Sequence, residues 1–395
     1  SANAKIEGNV TITGANPTEA ELKTINDGTN ATIIVPDKTV QLSSTADVLA
    51  AALTGTVTDS ANAQITGNVT ITDAPTETEL QTINNGTNAS IQISAANQTF
   101  SASAAVLAEA LTGTVTGPGG AALSGAVTVN NGANTDVAAT LLSTIATGTD
   151  GTVTVSSAVN ITGDTSEVIA ALDTNGVVAA TANIVLSDTP SLANLKTING
   201  KTSGSIKIDN GAVTYSDSAV NLAAALDGTV TDGSGTALSG AMTLNSDPNA
   251  TQLQTINNGT TGNVIIPNAG ITLSGTPAVL VEALTGSVAT AGNAKISGTV
   301  TISVDNPDSA QLKTINDAID GAIVVPSKAV ALSGTATALA AALTGTVTDS
   351  ANAKIEGNVT ITGSAPTEAE LKTINDATNA SIQIPAANQT FSASA

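Results

Sequence analysis

The chain has 395 residues, a formal net charge of −21, 41% apolar residues and only three aromatic side chains, Phe100, Tyr215 and Phe391. It has no Cys, His or Trp, and its eleven basic residues are all Lys. That inventory removes thiolate and imidazole nucleophiles, ordinary transition-metal sites and a side-chain base that titrates unperturbed near neutrality. No enzyme is expected.

The acidity opposes binding to nucleic acid or anionic lipid. No run approaches 18 apolar residues, and Ser1-Ala2-Asn3-Ala4 is not a signal peptide, so no membrane insertion is expected within this segment. The absence of Cys leaves the compartment open, because a stacked array needs no disulfides.

Leu-x-Thr-Ile-Asn organises everything else. It appears as Leu22 to Asn26, Leu80 to Asn84, Leu195 to Asn199, Leu253 to Asn257, Leu312 to Asn316 and Leu371 to Asn375, with a degenerate copy at Leu142 to Ile145. From Leu22 to Leu371 there are six intervals, a mean period of about 58 residues. The repeats run 1–59, 60–117, 118–176 (divergent), 177–232, 233–290, 291–349 and 350–395 (partial). Both ends fall inside a repeat, which suggests an excerpt of a longer array.

In the first repeat, Ala4-Lys5-Ile6 and Asn9-Val10-Thr11-Ile12-Thr13 alternate like half-buried strands. Asn16-Pro17-Thr18-Glu19 then predicts a helix, with Asn16 as cap, Pro17 at the first helical position, Leu22 and Ile25 on one face, and Gly28 as a left-handed stop. Ala31 to Val35, ended by Pro36, and Thr39 to Leu42 read as two more strands. Ser44-Thr45-Ala46-Asp47 opens a second helix through Leu53, closed by Gly55. Each half-repeat is strand, strand, short helix.

The second repeat keeps this plan, with helices near Leu80 to Ile83 and Val106 to Leu111. In the third, Asp136 to Ile145 predicts a longer helical segment, followed by a strand at Thr152 to Val155 and a helix over Val168 to Leu172. Repeats four to six carry second helices at Val220 to Leu226, Val279 to Leu284 and Ala338 to Leu343. The seventh repeats the first almost letter for letter. Pro36, Pro267, Pro326 and Pro385 share one register as strand terminators.

The predicted fold is therefore a β-rich α/β repeat, a solenoid of strand-strand-short helix coils with two coils per repeat. Strands stack about 4.8 Å apart, whereas packed helices need about 8–10 Å. The polar, acidic first helix and the Val-Leu-x-x-Ala-Leu second helix are accordingly expected on two different faces, each repeat advancing about 9–10 Å.

The boxes, together with Ala-Leu-Thr-Gly-Thr-Val-Thr segments such as Ala52 to Thr58 and the Ala-x-x-Leu-Ala-x-Ala-Leu helices, resemble the strand-rich repeats of giant secreted bacterial surface proteins of S-layer and large-adhesin type. The resemblance implies an extracellular, cell-surface structural role. The Gly-Gly-x-Gly-x-Asp calcium nonapeptide common in such proteins is absent.

Four patterns carry possible chemistry. Asp59, Asp232 and Asp349, with Asp27, Asp317 and Asp376, recur at loop positions as turn formers or helix stops. The first three are also calcium candidates, although calcium wants six to eight oxygens. Thr70 and Thr72 and their cognates point outward, either as ordinary solvated strand residues or as an ice-binding ladder. Glu19 and Glu21, Glu77 and Glu79, and Glu368 and Glu370 suit a helix's first turn but point apart, which disfavours a catalytic pair. Sequons such as Asn30-Ala31-Thr32 and Asn88-Ala89-Ser90 are numerous in a chain rich in Asn, Ser and Thr.

The expectation is an extracellular structural segment of a fibre, stalk or surface layer, self-associating end to end, without cofactor unless calcium binds. The alternatives are an adhesin or ligand-binding array and, third, an ice-binding solenoid.

Overall fold

The computed structural model describes residues 5–384. Pro385 and Phe391 lie outside the described residues. Short parallel strands in small sheets alternate with short helices, an α/β repeat architecture. The helices are Glu19–Gly28 (α1), Ala46–Leu53 (α2), Glu77–Asn85 (α3), Ala104–Leu111 (α4), Ala139–Thr147 (α5), Thr165–Ile169 (α6, continued by a π-helical turn, Ala170–Thr174), Leu192–Asn199 (α7), Ala219–Leu226 (α8), Ala250–Asn258 (α9), Pro277–Leu284 (α10), Ser309–Ala318 (α11), Ala336–Ala342 (α12) and Glu368–Ala377 (α13).

Five of the first helices start from a capping box. Thr18 accepts the Glu21 amide while the Glu21 carboxylate returns to the Thr18 N–H, and Thr76 with Glu79, Asn249 with Gln252, Asp308 with Gln311 and Thr367 with Glu370 do the same. The cap of α1 is thus Thr18 rather than Asn16. Thr18, three residues before Glu21, is placed to close the box, and Pro17 sits just outside the helix, buried. Gly28 is the last helical residue, not a left-handed stop; the chain leaves through an extended Thr29 at φ −131°. Left-handed glycines instead follow second helices, as at Gly55 (φ +89°) and Gly286 (φ +95°).

Contacts divide the chain into two units, 1–188 with 200–206, and 189–199 with 207–395, a division that falls within the fourth repeat. In the first unit the parallel ladders are 10–11, 33–34, 57–58; then 42–44, 69–71, 91–93, 115–116; then 100–102, 127–129, 153–155; and 136–138, 160–163, 183–186. In the second unit they are 215–217, 242–244, 264–266, 288–290; then 273–275, 300–302, 323–325, 347–349; and 332–334, 359–361, 382–383. Each ladder is short. A new one starts a few residues after a strand of the old one, as 100–102 follows 91–93 across the turn 94–99.

Consecutive helices pack on one another: α1 on α2, α2 on α3, α3 on α4, α4 on α5 and α5 on α6 in the first unit, and α7 through α13 likewise in the second. This corrects the expectation of two helix faces, because within each unit both helix types alternate along one row. Two helices side by side take about 16–20 Å, twice the advance expected above. Starting a new ladder beside the old one lets strands stay at their own closer spacing while the helices keep theirs.

The third repeat departs from the expected helix. Asp136–Ala138 is a strand, with Val137 buried opposite Ile161, and α5 starts only at Ala139. Ladder pairing of a β-branched residue outweighs its weak helix propensity here.

The core is a thin aliphatic seam. Ile33, Leu42, Leu49, Val69, Ile71, Leu80, Ile83 and Ile91 are buried, and Phe100 and Tyr215 occupy the ladder-starting place held elsewhere by Leu42, Leu273 and Leu332. Coils approach so closely that a Cβ on Gly240 would lie 1.8 Å from the Val213 carbonyl oxygen, and one on Gly298 1.9 Å from that of Ile271. Only glycine fits there.

Candidate functional site

The recurring box is a joint between helices. Its Leu is fully buried at Leu22, Leu80, Leu195, Leu253 and Leu312. Its Thr hydroxyl bonds back to the carbonyl four residues earlier, Thr24 to Ala20 and Thr82 to Thr78, each at 2.8 Å. Its Asn leaves its own helix altogether. Asn84 Nδ2 donates to the carbonyls of Glu109 (2.6 Å) and Thr112 (2.8 Å) at the end of α4, and Asn199 to those of Ala224 and Asp227 at the end of α8, both at 3.0 Å. Asn257 reaches Glu282 (2.7 Å) and Thr285, Asn26 reaches Ala51 (2.8 Å) and Thr54, and Asn316 reaches Ala341 (2.8 Å). A helix end leaves up to four carbonyls without partners, and this one amide takes two of them.

The second helix is held at its other end as well. The Ala46 amide at the start of α2 donates to Asp73 Oδ1 (2.8 Å), that of Ala104 to Asn131 Oδ1 (2.8 Å) and that of Ala219 to Ser246 Oγ (3.0 Å), all from the following coil. Buried threonines sew the strands in the same way. Thr87 Oγ1 donates to the Ile65 carbonyl (2.7 Å) and accepts the Ala89 amide (3.0 Å); Thr29 does the same with Ile6 and Ala31.

The paired glutamates divide the work. Glu21 and Glu79 close capping boxes, whereas the Glu19 and Glu77 carboxylates accept the outward N–H groups of Ser43 and Ser101 on the first strands of two ladders. Those are edge amides with no strand to pair them, so the side chain covers an open sheet edge. Sequence spacing placed the pairs in the first helical turn and missed this reach.

Asp59, Asp232 and Asp349 lie in separate, equivalent turns and are not brought together. Asp59 Oδ1 accepts the amides of Ala61 (2.8 Å) and Ala63 (2.9 Å), and Asp349 Oδ1 those of Ala351 and Ala353. Asp232 takes the amides of Ser234 and Thr236 and both their hydroxyls; the Ser234 hydroxyl, foremost, pulls its carboxyl down to about 2. Left-handed Asn62, Gly235 and Asn352 complete these turns. Each carboxylate is thus committed to its turn, and among the described residues no three Asp or Glu side chains gather as a metal site would require. Asp27, Asp317 and Asp376 are not in loops but in last helical turns, paired with Lys23 (2.7 Å), Lys313 and Lys372 four residues back.

The outward threonines form mixed columns rather than one ladder: Ser43, Thr70, Gln92 and Thr116 in one sheet, Ser274, Thr301, Val324 and Thr348 in another. A polar groove of about 360 Å³, lined by Asn85, Asn88, Ser90, Glu109, Gly113 and Thr114 among others, recurs one repeat earlier at about 650 Å³ around Asp27, Asn30, Thr32, Gly55 and Thr56. Glu109 is held below the ordinary carboxylate range by Asn85 and Gln81. Tyr215 is buried, donates to the Pro190 carbonyl (3.0 Å) and has its hydroxyl pushed up to about 12 by desolvation.

No helix among the described residues is long and apolar enough to cross a membrane. No family profile matches the chain, and no curated protein matches it significantly.

Proposed function

We propose that the chain is an extracellular structural segment, a solenoid of two strand-strand-helix coils per repeat that serves a cell-surface fibre, stalk or surface layer. One observation carries this reading: the same inter-coil bonds recur in copy after copy, as when Asn26, Asn84, Asn199, Asn257 and Asn316 each tie one helix to the next. Specialised chemistry needs one copy to differ, whereas load-bearing needs all copies alike. In a stacked array each repeat contacts its neighbours and stability grows with their number. The likeness of the boxes to giant secreted bacterial surface proteins belongs to the same proposal, as does end-to-end self-association.

A second reading, an adhesin or ligand-binding array, draws on the groove repeated around Asn88 and Asn30. Electron microscopy of the purified chain separates mechanical from modular designs. Rods lengthening by about 16–20 Å per repeat support the stalk. Separate compact beads would overturn it and favour independent binding modules.

A further inference from the structure

The sequence contains six Asn-Gly steps, at Asn85, Asn131, Asn175, Asn199, Asn210 and Asn258. Glycine lacks a Cβ, so its amide nitrogen can approach the preceding Asn side chain, but only where both groups are free to move. In four steps the Asn side chain is bonded elsewhere, and in a fifth, Asn175, the flanking backbone is. Asn85 and Asn258 end helices, donate to Glu109 and Glu282 at 3.0 Å, and are followed by amides bonded to Thr82 and Thr255 at 3.1 Å. Asn131 accepts the Ala104 amide at 2.8 Å, and Asn199 holds two carbonyls at 3.0 Å. Asn175 is fixed on both sides, its own amide on Ala170 (2.9 Å) and that of Val177 on Ala171 (3.0 Å).

Asn210 differs. It is exposed, in the turn between strands Ile206–Ile208 and Tyr215–Asp217. Its one side-chain contact is the Ala212 amide, which donates to Oδ1 at 3.1 Å. That local turn folds the side-chain carbonyl back over the Gly211 peptide and polarises it, while the Gly211 N–H donates to no described acceptor.

We propose that Asn210 is a site of spontaneous deamidation. The Gly211 nitrogen attacks Asn210 Cγ, the new C–N bond closes a succinimide, and the side-chain nitrogen departs as ammonia carrying the displaced proton. Water then opens the ring, giving aspartate or isoaspartate. Aspartate preserves the turn, as Asp37 shows by accepting the Thr39 amide at 2.9 Å in the cognate position. Isoaspartate inserts an extra backbone carbon just before a ladder-starting strand. Either product adds one negative charge to the fourth repeat.

The test is peptide mapping by mass spectrometry after timed incubation of the full chain in mildly alkaline buffer. The Asn210 peptide gains the mass of an amide-to-acid exchange and resolves into two isomers at least about tenfold faster than the other five, a ratio matching modest local protection of those sites. In urea the six rates converge, and Asn210→Ser removes the signal. Six equal rates in the folded chain, or an unchanged Asn210, would overturn the assignment, as would a lead for Asn210 that persists undiminished in urea.

Discussion

At the scale of the residue, an asparagine joins one helix to the next. Asn257 sits in α9, and both its donated bonds go to carbonyls at the end of α10, those of Glu282 and Thr285. Asn257→Ala removes both donors and leaves water to replace them, a loss of about 1–2 kcal/mol. Asn257→Asp is worse, because it removes the donors and places a negative charge at the negative end of a helix. Urea-denaturation midpoints should fall in the order wild type, Ala, Asp; an Asp variant as stable as wild type would show that the amide is not the link. A second residue runs the other way. Val304 is a β-branched residue at φ +68°, exposed at 84%, where the cognate residues are Gly14 (φ +103°) and Gly363 (φ +82°). Val304→Gly relieves left-handed strain of about 1–2 kcal/mol against the added unfolded-state freedom of glycine, for a net gain of roughly 0.5–1 kcal/mol. An unchanged or lowered midpoint would contradict this.

At the scale of the element, one helix lacks its clamp. The degenerate box has Ala146 where the other six copies have Asn, and the next helix, α6, is the one that ends in a π-helical turn, with Asn175 bonding back five residues to Ala170. Ser143 Oγ, in the same box, is buried without a partner. An amide at 146 should compete with the Asn175 and Val177 amides for the end carbonyls of α6 and let the helix end like its neighbours. In Ala146→Asn, amide exchange over 170–177 should slow about five- to tenfold, the equivalent of one added hydrogen bond. Exchange that stays fast would mean that the π turn is set by the chain following α6 instead. The contrast marks what the sequence makes legible. Buried Leu and Ile positions, the strand-strand-helix order and the first-turn glutamates follow from spacing within one element. The partner of the box Asn is some 25 residues away, and the edge amide reached by Glu77 is 24 away, so recurrence could flag these residues but not assign them. The same gap explains the two expected helix faces. Spacing alone gives the mismatch between strands and helices, and only the ladders show that each sheet ends after a few strands and another begins.

At the scale of the whole molecule, the same design fixes the response to acid. No histidine is present, so no side chain with an ordinary pKa titrates between about pH 5 and 8, and stability should be nearly flat there. Below that range two effects oppose each other. Protonation relieves the mutual repulsion behind a net charge of −21, but it also disables carboxylates that organise local structure. Glu21 is lowered by the Thr18 amide, Glu109 by Asn85, Glu282 by Gln254, and Asp232 by the Ser234 hydroxyl to about 2. A carboxylate whose folded pKa lies below its unfolded value of about 4 contributes stability that is complete above that value and disappears as pH falls through the folded one. The window of loss therefore runs from about pH 4 to about pH 2, set at its lower end by Asp232. Charged residues are only 11% of the chain and repulsion between them is screened within about 10 Å in 0.1 M salt, whereas hydrogen bonds made within one turn are not screened in that way. In salt the organising carboxylates should win, and thermal midpoints should decline on acidification below pH 4. Asp232→Asn keeps an oxygen for the Ser234 and Thr236 amides yet cannot be protonated, so its decline should be shallower than that of the parent. A midpoint that rises on acidification in salt would show that charge repulsion, not the turn and cap carboxylates, limits this array.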